Sequence, residues 1–161
     1  MTNAIESMTR ETGNVSAFQD PGAQRFVDGL RHHPQRYAAD QPARVLVVED
    51  APDIRKLMRF LVLTSGAHVT SVADGRSAAA LMDREPPPDL IVVDRMLPIL
   101  SGDELIRMVR SDPLWHDTPI LVVSAKAREE DVADSLNDGA NAYLTKPFDP
   151  KRFIDTVERF I

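Results

Sequence analysis

The sequence predicts an α/β fold, a (βα)5 doubly wound arrangement of five parallel strands between two layers of helix. Three observations predict it. From Arg44 onward, short apolar runs alternate with stretches of helical periodicity. The runs are apolar throughout rather than at every second residue, as in strands covered on both faces. Each run also ends in a polar residue or a turn. Right-handed crossovers then make the doubly wound sheet the economical solution.

Taken in order, Val45-Leu46-Val47-Val48 reads as the first strand and stops at Glu49-Asp50. Pro52 opens the first helix, at a position where its missing N–H costs nothing. Ile54, Leu57, Met58 and Leu61 give that helix one buried face, and Gly66 closes it. His68 to Val72 is the second strand. Asp74-Gly75 turns into an Ala-rich helix with Ala78, Leu81 and Met82 inward, which Pro86-Pro87-Pro88 stops. Leu90-Ile91-Val92-Val93 is the third strand and runs directly into Asp94. A helix from about Gly102 to Arg110 turns Leu105, Ile106 and Val109 to the core. Pro119 introduces the fourth strand, Ile120 to Val123, ending at Ser124. A helix from about Arg128 to Asn137 ends at Gly139. Ala142 to Leu144 is the fifth strand, followed by Thr145-Lys146-Pro147, and a last helix spans Pro150 to Ile161.

Residues 1–43 read differently, as a flexible N-terminal extension. They are polar and mixed in charge to about Gly22. A short helix is expected near residues 23–33, where Phe26, Val27 and Leu30 share a face. His32-His33 has no further ligand beside it and reads as a solvated pair rather than a metal site. Asp40-Gln41-Pro42 marks the boundary, and residues 44–161 form the folded domain.

Composition narrows the function. The 161 residues are 43% hydrophobic and 27% charged, as in a soluble globular protein. A net charge of -6 argues against a nucleic-acid surface, which needs clustered Lys and Arg. The absence of cysteine removes disulfides, thiolate metal sites and cysteine nucleophiles. No stretch approaches the roughly 18 apolar residues of a membrane span, and no secretory signal is visible, so the default location is cytoplasmic.

The polar strand ends carry the chemistry. Glu49-Asp50, Asp94, Ser124 and Lys146 bring three carboxylates, a hydroxyl and an ammonium to one sheet edge. Asp94 alone could be a helix cap. In company, crowded carboxylates suit a hard divalent cation with oxygen ligands, Mg²⁺ above others. A carboxylate can be the nucleophile in phosphoryl transfer, which needs positioning and charge neutralisation more than covalent help. No water-activating base stands out, so the site reads as one that makes an aspartyl phosphate and keeps it. A haloacid-type phosphatase would carry a second aspartate at the position of Met96.

These segments resemble the receiver domain of bacterial two-component response regulators. The resemblance rests on Val45-Leu46-Val47-Val48-Glu49-Asp50, Asp94-Arg95-Met96-Leu97-Pro98 with Gly102, Ser124-Ala125-Lys126, and Gly139 through Phe148. It implies a flavodoxin-like strand order 2-1-3-4-5 and Asp94 as phosphoacceptor. Asp50 is then a direct Mg²⁺ ligand, Glu49 a ligand through water, and Met96 a ligand by its backbone carbonyl. Ser124 bonds the phosphoryl group, and Lys146 pairs with the acidic site. The Lys146–Pro147 bond is expected to be cis. Tyr143 is the switch aromatic, turning inward as Ser124 moves toward the phosphate. That changes the face made by the fourth helix, fifth strand and fifth helix.

The implied partners are a sensor histidine kinase or histidine phosphotransfer protein and a downstream protein target, with Arg55, Lys56 and Arg59 of the first helix placed for contact. Two readings of the output stand: a stand-alone regulator, which is not an enzyme beyond its own phosphorylation and dephosphorylation, or the receiver part of a longer DNA-binding regulator or hybrid kinase. Homodimerisation through the fourth helix, fifth strand and fifth helix is open. Asn141-Ala142 replaces an acidic pair there, which weakens one known kind of dimer. Met96 offers no side chain to orient an attacking water, so intrinsic phosphate loss is expected to be slow. On that argument Met96→Asn loses its phosphate faster than the parent, as a decay time course would show.

Overall fold

A computed structural model describes residues 41–161. The expected helix near residues 23–33 and the His32-His33 pair lie outside the described residues. Five strands, β1 (Arg44–Val48), β2 (His68–Val72), β3 (Leu90–Val93), β4 (Ile120–Ser124) and β5 (Ala142–Thr145), form one parallel sheet in the order β2-β1-β3-β4-β5. The helices between and after them are α1 (Pro52–Thr64), α2 (Gly75–Met82), α3 (Gly102–Ser111), α4 (Glu129–Asp138) and α5 (Pro150–Val157).

Alternate residues of the apolar strands feed two cores. Val45, Val47, Leu90, Val92, Leu121 and Val123 meet Met58, Leu61 and Val62 of α1 and Phe153 and Val157 of α5. Leu46, Val48, Ile91, Val93, Ile120 and Val122 meet Ala78 of α2 and Leu105, Ile106 and Val109 of α3. Each of these large side chains contributes about 1.5–3 kcal/mol on full burial, so the three central strands carry much of the stability. The register continues one residue beyond the strands: Glu49 N–H donates to Val72, Asp94 N–H to Val48 and Lys146 N–H to Ser124, at 3.2, 3.0 and 2.8 Å. The sheet therefore fixes the backbone of each edge residue.

Local sequence explains the helix starts. Asp74 caps α2 through Ser77 N–H, Ser101 and Glu104 form a capping box on α3, and Asp149 caps α5 through Arg152 N–H. Gly66, at φ 78°, closes α1 as the sequence predicts.

Two expectations need correction. Leu57 was expected on the buried face of α1, but it is 39% exposed while Val62 is fully buried. At about 100° per residue, Ile54, Met58, Leu61 and Val62 centre the buried arc some way from Leu57. The final helix was expected to reach Ile161, but α5 ends at Val157. A turn closed by Phe160 N–H on Val157 ends the helix there, and Phe160 still reaches the core beside Phe153 and Val157.

Ile99 has φ 71°, a left-handed conformation that a β-branched residue rarely adopts, and its side chain is 78% exposed. Strain without packing makes Ile99→Gly stabilising by about 1 kcal/mol, after glycine's own entropic cost. Chemical denaturation reads this directly; a midpoint at or below the parent's contradicts it.

Candidate functional site

The carboxyl edge of the sheet brings the predicted residues together. Glu49 and Asp50 leave β1, Asp94 leaves β3, and Lys146 leaves β5 from the far side of β4. One oxygen from each of Glu49, Asp50 and Asp94 lies within 4.8 Å of the others. Lys146 Nζ donates to Glu49 Oε2 and Asp94 Oδ2, each at 2.6 Å. The second oxygen of Asp94 accepts the Met96 N–H at 2.9 Å, so the carboxylate is held by both ends. Glu49 Oε1 accepts the Ala51 N–H at 3.2 Å.

Burial differs across the cluster. Glu49 has no exposed surface, Asp94 is 5% exposed, and Asp50 is open to solvent. Desolvation outweighs the nearby ammonium and raises the Glu49 pKa. Burial alone would lower the Lys146 pKa, but Asp94 and Glu49 together reverse this and raise it. Three carboxylates against one ammonium, all offering oxygen, with one carboxylate facing water, suit a hard dication such as Mg²⁺. Arg55 donates to the carbonyls of Glu49 and Asp50 at 2.6 and 3.0 Å and braces this loop. Lys56 and Arg59 stay exposed.

Ser124 is fully buried at the end of β4. No hydrogen bond joins it to Asp94 among the described residues; its Oγ accepts the Lys126 N–H at 3.4 Å. The Tyr143 ring packs against the α3-side core, and its hydroxyl donates to the Lys126 carbonyl at 2.8 Å. That hydroxyl sits beside the side chains of Ser124 and Arg95, while burial raises its pKa. The Lys146–Pro147 bond is cis, as the resemblance implied.

Sequence reasoning missed Arg95. It is 8% exposed and forks onto Asp103 of α3, Nε to Oδ1 and a terminal nitrogen to Oδ2, each at 2.9 Å. Its other terminal nitrogen reaches the carbonyl and carboxylate of Asp131 on α4, at 2.6 and 3.2 Å. Nothing in the pattern marks this, because a charged residue in a turn ordinarily faces solvent.

Comparison with known proteins agrees with the geometry. The family model described as response regulator receiver domain matches residues 45–158. An uncharacterised 14.6 kDa protein from the sodA1 3′ region of Leptolyngbya boryana is 42% identical over 72% of this chain and 88% of its own length. The phosphate regulon transcriptional regulatory protein PhoB of Klebsiella pneumoniae is 36% identical over 71% of this chain, which spans only half of PhoB. The receiver domain of sensor histidine kinase PA1611 from Pseudomonas aeruginosa, solved with a magnesium ion in its active site cleft, superposes with a TM-score of 0.68 at 31% identity, over 74% of this chain and 98% of that one. Five parallel strands in this order, the acidic pocket with its lysine, and the span of the match make the conclusion plain: this chain belongs to the response regulator receiver family.

Proposed function

We propose that the chain is a phosphoacceptor switch, taking a phosphoryl group onto Asp94 from the phosphohistidine of a sensor kinase or phosphotransfer protein. The observation that carries this is Asp94 itself, oriented by the Met96 N–H and by Lys146 at the mouth of the acidic cluster. An Asp94 oxygen attacks phosphorus and forms the O–P bond as the P–N bond breaks, and the donor ring, already protonated on its other nitrogen, leaves as neutral imidazole. Lys146 then shifts its contact from the Asp94 oxygen to a phosphoryl oxygen, keeping its charge beside the one that has moved. Mg²⁺ would be held by Asp50, Asp94 and the Met96 carbonyl, with Glu49 as an outer ligand, and would supply further charge neutralisation.

The Ser124 hydroxyl donates to the phosphoryl group, and Tyr143 occupies the inward position beside it. This couples Asp94 to the surface of α4, β5 and α5, where a protein target reads the state. The 14.6 kDa relative, covered over 88% of its length, supports stand-alone action on protein targets. PhoB and PA1611 support the alternative, since in such proteins a receiver is one part of a longer regulator or kinase. Mass measurement after incubation with Mg²⁺ and acetyl phosphate tests the central step. The expected result is one acid-labile phosphoryl group, absent in Asp94→Asn and with chelator; no gain in the parent under any condition overturns the proposal.

A further inference from the structure

We propose that Arg95 is a positioning residue that clasps the first turn of α4 to the phosphoacceptor loop and holds Tyr143 inward, favouring the phosphorylated state before any phosphate arrives. The inference rests on the reading of Asp94 as phosphoacceptor and of the inward Tyr143 as the signalling orientation.

Arg95 follows Asp94 directly, so any movement of the phosphoacceptor loop moves its backbone. Its side chain leaves that loop and ends between two helix N-termini, with Asp103 in the first turn of α3 and Asp131 in the first turn of α4. The planar guanidinium suits this site: one edge makes the paired bonds to Asp103 while the opposite nitrogen takes the Asp131 carbonyl and carboxylate. A buried charge costs stability unless it is paired, and here both neighbouring acids pair it. The Tyr143 hydroxyl, which donates to the Lys126 carbonyl, lies near the guanidinium. One buried side chain thus joins the loop after Asp94 to α3 and α4, next to the aromatic of β5.

Direction follows from linkage. Arg95 makes these contacts with the Tyr143 ring packed on the α3-side core and its hydroxyl on the Lys126 carbonyl, the arrangement we read as inward, so it stabilises that arrangement. Whatever stabilises the arrangement a phosphoryl group favours raises the population of that arrangement and tightens the phosphoryl group's binding in proportion, until the arrangement is fully populated. Arg95 therefore raises affinity for a phosphoryl group without touching it.

The test uses the full chain with Mg²⁺ and beryllofluoride, a reversible phosphoryl mimic, in calorimetric titration. The parent is expected to bind one equivalent. Arg95→Met is expected to bind about tenfold more weakly, a typical coupling magnitude. Arg95→Lys should recover part of the loss, since one ammonium reaches one of the two acids. Mg²⁺ affinity without beryllofluoride should stay within about twofold, because Arg95 is no ligand. Hydrogen exchange at Val132 to Ser135 should quicken in Arg95→Met, and Asp131→Asn should weaken beryllofluoride in the same direction should Arg95→Met not fold. Equal or tighter beryllofluoride binding by the folded Arg95 variant, or by Asp131→Asn in its place, overturns the role of Arg95 alone. No binding by the parent overturns the phosphoacceptor reading and this inference with it.

Discussion

Lys146→Met is expected to slow labelling by acetyl phosphate on the order of 100-fold, the effect of deleting one preorganised charge at a transferring group. The same variant should be destabilised more at about pH 8 than at about pH 5. Lys146 is the ammonium bonded to both Glu49 and Asp94. Burial already raises the Glu49 pKa against the pull of the lysine, so its removal leaves only the Ala51 N–H to oppose burial. A carboxyl group whose folded pKa lies above its unfolded value keeps its proton in the native state while the unfolded chain has released it. Stability therefore falls as pH climbs from the ordinary carboxylate range through the raised value. Denaturation midpoints at the two pH values give the sign; a loss greater at the lower pH would show that Glu49 remains charged. Mg²⁺ should also raise the melting temperature of Lys146→Met more than that of the parent, because three carboxylates have lost their counter-charge.

Gly102→Ala is expected to cost about 3 kcal/mol, the upper range for forcing extra volume into packed structure. A Cβ there would stand 2.2 Å from the Asp94 carbonyl oxygen and 2.7 Å from the Arg95 Cα, both backbone atoms that cannot rotate away. The displaced atoms belong to Asp94 and Arg95, so labelling should slow as stability falls. Gly66→Ala is the control. Gly66 has a left-handed φ of 78° but nothing within 4 Å, so its cost is strain alone, about 1 kcal/mol, with no loss of labelling. Equal costs at the two glycines would mean that the α3 entry relaxes freely.

The sheet and its polar edge were legible because buried parallel strands have an unmistakable pattern. Leu90 to Val93 has no polar interruption, and the next residue is the aspartate that the edge needs. Glu49, Asp50, Asp94 and Lys146 then follow from strand order, since parallel strands end on the same side. What stayed hidden depends on side-chain reach. Arg95 extends to Asp131, 36 residues away, and no local periodicity encodes a contact of that separation. Trp115 was hidden for a related reason. It lies outside every helix and strand yet is 2% exposed, packed with Ile120 and Leu105 in the α3-side core. Val62 lost its place to Leu57 because both are apolar and only the docking angle of α1 distinguishes them.

At the far end of α4 another arginine works differently. Arg110 of α3 donates twice to the Gly139 carbonyl, at 3.0 and 2.8 Å, and also to the carbonyls of His116 and Thr118 and to the Asn141 side chain. None of these partners belongs to the loop that follows Asp94. On the coupling proposed through Arg95, the ten-residue helix would pivot near Gly139 and move at its Glu129 end. With a rise of 1.5 Å per residue it is a lever about 15 Å long, and a swing of about 10° carries its tip roughly 2.6 Å. A partner reading this surface would sense that stroke at Glu129 and Glu130, and almost none of it at Asn141.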